Sequence, residues 1–465
     1  MRIGFYSSKT NNSIVFLLSD SLLAFTMIFK RARSIDIMLD IKLIRENPDT
    51  VRKDLEKRGD KERLEHLREL IRHDRQWREN LQALEALRME RNVLTEKIAS
   101  LKKAGKPASK ELEQVKAIPD KIKELANNDT KLKERVDFYL MRIPNILHHS
   151  VPVGKDESEN VEVRKAGKVP HFSFKPKNHA EIAEALGVMD SERAGKVAGH
   201  GFVYLKGSLA LLDQAIQRLA IEHLVKKGYT LVEPPLMLKR KPYEGVTDLA
   251  DFENVMYKVE GEDVYLIATS EHPMAAQYMN EVLEKKDLPI KLVGVSPCFR
   301  REVGAHGKYT RGLFRMHQFN KVEQFIFCIP EDSWKLHEEL QRNSEDLYKA
   351  LGLAYRVVNV CTGDIGTIAA KKYDTEVWMA DGEYREIGSN SNCTDYQARR
   401  LGIRYREKEG VAPAGFVHTL NNTALATSRT MMAIIEQYQN KDGTVDIPEA
   451  LQPFMHGMKK LERLK

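Results

Sequence analysis

Two neighbouring runs of the chain carry side chains of the kind that grip a phosphorylated ligand. Residues 297–302 read Pro-Cys-Phe-Arg-Arg-Glu, and residues 309–323 place Arg315, Phe319 and Glu323 at even offsets. Alternate residues of a strand share a face, so the spacing predicts a sheet face bearing Arg300, Glu302, Arg315, Phe319 and Glu323. A core strand does not carry such a row, because each unpaired charge is costly to bury. The guanidinium is planar, always charged and forked, which suits a polyphosphate. A Phe beside it offers a flat apolar surface for a purine ring. The glycine-containing polar stretch between the runs reads as a long loop joining two strands.

These runs closely resemble motif 2 of the class II aminoacyl-tRNA synthetases. Thr310-Arg311-Gly312-Leu313 and Arg315-Met316-His317-Gln318-Phe319 are most similar to the seryl-tRNA synthetase family. A surface hairpin with solvated charges is the plain alternative, and three further clusters weigh against it. Residues 268–271, Ala-Thr-Ser-Glu, resemble the family's substrate loop, although Ser or Thr before Glu also reads as a helix cap. Residues 385–393 resemble its Glu-Ile/Val-Ser-Ser-Cys-Ser-Asn run, with Gly388 and Asn390 where Ser and Cys are usual. Residues 419–430 resemble motif 3 and set Arg429 at the start of an apolar helix, where backbone amides also favour anions. Alone, such an Arg is usually solvated.

The resemblance implies a serine–tRNA ligase using ATP with Mg²⁺ and no zinc. It assigns Arg300, Arg301, Glu302, Arg315, Met316, Phe319, Glu386, Ile387, Gly388, Ser389 and Arg429 to ATP. Arg300 would hold the α-phosphate and Glu302 the adenine edge, with Arg315 and Arg429 near the outer phosphates. Arg429 would also pack over the adenine opposite Phe319. It assigns Thr269, Ser270, Glu271, Arg300, Glu323, Asn421 and Thr423 to serine, the hydroxyl falling to Thr423 or Asn421. Arg300 and Arg429 are the implied catalytic pair. Glu386 and Ser389 would meet Mg²⁺, which takes one or two carboxylates plus phosphate oxygens.

Long elements must present these residues. Between residues 62 and 143, apolar side chains recur at helical spacing: Leu64, Leu67 and Ile71, then Trp77, Leu81, Leu84 and onward, and, in steps of three or four, Leu112, Val115, Ile118, Ile122 and Leu125. Sustained spacing of this kind predicts two helices zipped along a narrow seam. Gly105 and Pro107 mark the turn, flanked by Lys102, Lys103, Lys106 and Lys110. With some forty residues per helix, the arm would be roughly 60 Å long, interrupted or kinked at Pro119. A spacer coiled coil is the bland reading; an RNA-reaching rod with a basic tip is the sharper one. The family carries such an arm for the long variable arm of tRNA(Ser), and usually serylates tRNA(Sec) where that tRNA exists.

Downstream, a helix over residues 210–227 ending at Gly228 and a strand ending at Pro235 resemble motif 1, which implies a homodimer. Alternating runs at residues 264–268, 292–295, 325–329 and 384–387 predict a mostly antiparallel sheet flanked by helices. The expected fold is therefore α+β: an antiparallel two-helix coiled-coil arm, then a class II catalytic domain. The expected division is an extension at 1–37, a tRNA-binding domain at 38–146 and the catalytic domain at 147–465.

Several classes are disfavoured. A chain of 465 residues that is 30% charged and 42% hydrophobic has the balance of an ordinary globular protein. Cys298, Cys328, Cys361 and Cys393 lack CxxC spacing and a His partner, which argues against zinc and against a disulfide scaffold and fits buried thiols in the cytoplasm. No GxGxxG follows a strand, and residues 304–308 lack P-loop spacing. Residues 14–29 are broken by Ser19, Asp20, Ser21 and Thr26 and are too short and polar to span a membrane. Translation from an upstream start codon is the preferred account of this extension, with a targeting leader as the alternative. A carrier-protein aminoacylating paralogue would lack the arm, and a non-enzymatic RNA-binding relative would lose the motif arginines.

Overall fold

The computed structural model describes residues 40–247, 255–302 and 312–464. The expected extension at 1–37 lies outside the described residues, as do Tyr309, Thr310 and Arg311 of the motif 2 loop.

The arm consists of α1 (Lys61–Lys103) and α2 (Ser109–Leu140). At 43 residues α1 is about 65 Å long, whereas α2, at 32 residues, is about 48 Å, shorter than the spacing suggested. Pro119 does not interrupt α2, which runs continuously through it. Leu67, Leu70, Leu84, Ile118 and Val136 are buried along the seam as the periodicity requires. One layer of the seam is polar. Asn80 donates to Leu125 O at 3.0 Å, Asn128 donates to Asn80 at 2.9 Å, and Trp77 Nε1 donates to Asp129 at 2.8 Å. A buried amide pair of this sort fixes the register of two helices that apolar contacts alone would let slide.

The part of the chain after the arm is built on an eight-stranded sheet: β1 (Val161–Ala166), β2 (Thr230–Val232), β3 (Ile290–Phe299), β4 (Gln318–Cys328), β5 (Tyr355–Asn359), β6 (Lys371–Trp378), β7 (Tyr384–Asn392) and β8 (His418–Ala426). Their order is β1-β5-β6-β7-β8-β4-β3-β2. Every pair is antiparallel except β2 with β3. Helix α3 (Gly207–Lys226) leads to β2 and stops at Gly228, whose φ of 86° is the left-handed cap expected there.

Helices α4 (Ser333–Ala350) and α5 (Thr427–Gln437) pack on the sheet. Alternation sends Gln324, Asn390 and Asn422 toward α4 and their neighbours Glu323, Ser389, Ser391 and Thr423 to the opposite face. Asn422 donates to Leu340 O at 2.7 Å, Ser344 donates to Thr423 O at 2.9 Å, and Asn390 donates to His337 O at 3.0 Å. These bonds hold β7 and β8 where each is irregular. The register shifts between Thr375 and Glu376 on β6 against β7, and between Thr423 and Leu425 on β8 against β4. Bulges re-aim side chains, and both lie beside the residues of interest.

The arm is tied to the sheet just past β7. Arg58 donates to Asn145 O at 2.7 Å and to Gly366 O at 2.6 Å, Asn145 donates to Cys393 O at 2.8 Å, and Arg400 donates to Met141 O at 2.7 Å. All four cysteines are free and buried.

Candidate active site

The sheet face opposite α4 walls a cavity of about 230 Å³. Thr269, Glu271, Arg300, Glu302, Met316, Phe319, Glu323, Glu386, Ile387, Gly388, Ser389, Asn421, Thr423 and Arg429 line it. Three expected residues do not. Ser270 is fully buried with its hydroxyl directed at Gly294 O, 3.4 Å away, because it begins the short helix Glu271–Ala276 facing β3. Arg301 is exposed and lies past the end of β3, its backbone N–H donating to Val255 O at 2.9 Å. Arg315 lies in the turn before β4 and not on the strand, so it cannot share the face of Phe319 and Glu323. It reaches the rim by pairing with Glu302 at 3.1 Å. Glu302 itself has a φ of 48°, so the strand has ended by then and Arg300 and Glu302 meet through a loop.

One end of the cavity is acidic and buried. Gln397 donates to Glu271 Oε1 and Asn421 to Glu271 Oε2, each at 2.9 Å. Glu323 is fully buried, with Oε2 at 2.5 Å from Lys321 Nζ and 3.4 Å from Thr423 Oγ1. Its Oε1 has no hydrogen-bond partner among the described residues. Burial, with the Glu323 charge adding to it, pushes the Glu271 carboxyl up to about 7. A pair of carboxylates that line one cavity and influence each other's ionisation has the chemistry to take a small cation. His272 stands behind them, held neutral: burial, then Lys321 and Arg300, drive it down to about 3. It contacts Tyr243 Oη at 3.0 Å.

The other end is cationic and aromatic. Arg300 donates to Ala268 O at 3.3 Å and lies 5.4 Å over the Phe319 ring. Arg429, third residue of α5, lies 5.0 Å over Phe314 and donates to Glu386 O at 2.9 Å. The guanidinium over Phe319 is thus that of Arg300, and the ring beneath Arg429 is Phe314. Glu386 Oε1 also pairs with Arg429 at 3.3 Å and accepts from Ser389 Oγ at 3.3 Å. Burial opposes ionisation of Glu386, yet Arg429, Lys372 and Arg300 outweigh it and hold the carboxyl low.

Lys321, Lys372, Phe314, Ser391 and Ser428 also line the cavity and escaped the sequence reading. Lys321 carried a usable signal, being two residues from both Phe319 and Glu323. Phe314 sat inside the motif 2 run. Lys372 lies on β6, which is not among the runs that predict the sheet. The departures at 388 and 390 differ in consequence. Asn390 points at α4, away from the cavity, but a Cβ on Gly388 would stand 3.0 Å from Thr423 Cβ. Glycine there lets β7 lie close against Thr423.

Residues 38–147 match the model of the seryl-tRNA synthetase N-terminal domain. Residues 255–438 match that of the tRNA synthetase class II core domain (G, H, P, S and T). The serine–tRNA ligase of Methanocella arvoryzae is 55% identical over 91% of this chain and all of its own length. Among solved structures, seryl-tRNA synthetase from Pyrococcus horikoshii complexed with ATP superposes with a TM-score of 0.88 at 48% identity, covering 92% of this chain and 100% of the other. The cytoplasmic serine–tRNA ligase of Naegleria fowleri in complex with AMP gives 0.81 at 36% identity over 92% and 99%.

Proposed function

This chain belongs to the seryl-tRNA synthetase family, and on that premise we propose that it activates L-serine with ATP and transfers the seryl group to the 3′ end of tRNA(Ser). The observation that carries the reading is one cavity with a buried carboxylate pair, Glu271 and Glu323, at one end and Arg300, Arg429 and two aromatic rings at the other.

The serine ammonium fits between Glu271 and Glu323, its hydroxyl within reach of Asn421 and Thr423. The carboxylate then lies toward Arg300, which also takes the α-phosphate of ATP. Carboxylate oxygen attacks the α-phosphorus, pyrophosphate leaves, and seryl-adenylate remains for the terminal ribose of tRNA. Alignment and neutralisation of developing charge do the work, so no side-chain nucleophile is required. Alanine would leave the hydroxyl partners unpaired, a strong penalty, whereas threonine is opposed only by the space available for a methyl group.

Among the described residues no group of three His, Cys, Asp or Glu is poised to hold a metal ion. The donors at Glu386 and Ser389 are hard oxygens, as suits Mg²⁺ brought in by the nucleotide. Bound there, the ion would neutralise phosphate charge. At the far edge of the sheet, Val225, Leu231, Leu236 and Met237 are exposed around β2, and a second copy covering them would form a homodimer. No helix among the described residues is long and apolar enough to cross a membrane, and free buried thiols suit the cytoplasm.

ATP–pyrophosphate exchange with each amino acid in turn, followed by tRNA acylation, tests the reading. Serine alone should support rapid exchange and then charge tRNA(Ser), with tRNA(Sec) the further candidate. Exchange driven by another amino acid, or none, would overturn it.

A further inference from the structure

One buried carboxylate beside the cavity has no role in the scheme above. In the antiparallel register of β6 and β7, Lys372 stands opposite Ser391 and Asp374 opposite Ser389. Directly opposed residues share a face, and Lys372, Ser389 and Ser391 all line the cavity, so Asp374 lies on the same side, beneath Ser389. It is 6% exposed, and its Oδ1 is buried without a hydrogen-bond partner. Its Oδ2 is 3.6 Å from Lys372 Nζ, too long for a good hydrogen bond. A buried polar oxygen left unmatched in this way is costly, and such exceptions ask for a reason.

Ser389 supplies one. Its hydroxyl has a single proton and stands within reach of two acceptors, Glu386 Oε1 at 3.3 Å and the Asp374 carboxylate. If Ser389 and Glu386 both turn oxygen lone pairs to one divalent cation, a proton between them would repel it and must point elsewhere. Groups that orient a metal ligand from behind commonly accept its remaining proton. We propose that Asp374 is a positioning residue for the divalent cation that accompanies ATP, accepting the Ser389 hydroxyl proton when Ser389 and Glu386 face the ion. The O–H bond is not broken; only its direction changes. Lys372, facing both Asp374 and the cavity, offsets the Asp374 charge at 3.6 Å. This inference rests on the nucleotide-with-metal reading and adds a residue to it.

The test is a double-mutant cycle read by Mn²⁺ binding, followed from the electron paramagnetic resonance signal of free Mn²⁺ in the presence of α,β-methylene-ATP. Asp374→Ala and Ser389→Ala should each weaken Mn²⁺ binding about 10- to 100-fold. The double variant should be no worse than the weaker-binding single variant, because the two residues act as one unit. Thermal unfolding establishes that each variant is folded; if Asp374→Ala is not, Asp374→Asn, which keeps the volume, replaces it in the cycle. Losses that multiply in the double variant would show that Asp374 does not act through Ser389 and would overturn the proposal, as would wild-type Mn²⁺ affinity in the Asp374 variant. Failure of the wild-type protein to bind Mn²⁺ with the analogue would instead sink the nucleotide reading itself.

Discussion

Serine affinity should rise with pH across the neutral range, and Glu271 should be the cause. Its carboxyl is pushed up to about 7 by burial and by Glu323. The serine ammonium needs the ionised form. With that value, about one site in eleven is ionised at pH 6 and about ten in eleven at pH 8, so affinity should differ about tenfold, or about 1.4 kcal/mol. Serine binding measured by calorimetry between about pH 5.5 and 8.5, without nucleotide, reads this directly. Glu271→Gln should bind weakly at every pH and lose the slope. The same shift has a consequence for stability. The folded state retains a proton that the unfolded chain releases near 4.5. That stabilisation is complete below 4.5 and is lost as pH rises through about 7, a change of about 3 kcal/mol. Glu271→Gln should therefore melt higher than wild type at pH 8 while binding serine less well. Equal serine affinity at pH 6 and 8, or a Gln variant that keeps the wild-type slope, would refute the reasoning.

Other substitutions separate the parts of the machine. Arg300→Ala should abolish adenylate formation, with ATP–pyrophosphate exchange falling at least about 10²–10³-fold, while tRNA affinity measured by filter binding stays near normal; exchange near wild type would remove Arg300 from its role. Lys321→Met leaves Glu323 buried without its ion-pair partner and should cost about 3–5 kcal/mol in urea unfolding. Replacing Lys102, Lys103, Lys106 and Lys110 by Glu should weaken tRNA binding and reduce the slope of log Kd against log salt by on the order of 3, with serine-dependent exchange unchanged.

Much of the site was legible because its residues follow short-range rules. Phe319 and Glu323 face the cavity because β4 alternates, and the arm helices follow from a repeat of three and four that only a helix satisfies. What sequence could not supply was where alternation stops. Arg315 fell one turn short of the strand, Glu302 took a positive φ, and bulges beside Glu376 and Thr423 altered which side chains look inward. Lys372 and Asp374 became visible only when β6 was set beside β7, a pairing between segments that carry no mark of their partnership. The Asn80–Asn128 layer was hidden for a related reason: polar residues at helical seam positions look like breaks in a pattern until the partner helix shows them paired.

The structure of the protein with ATP and a non-reactive serine analogue would test the central claim most directly. The account predicts both ligands in the one cavity, with the ammonium between Glu271 and Glu323, Arg300 on the α-phosphate, and the purine against Phe319 with Arg429 swung over it from Phe314. A nucleotide bound elsewhere on the molecule, or a serine analogue that leaves Glu271 and Glu323 untouched, would contradict it.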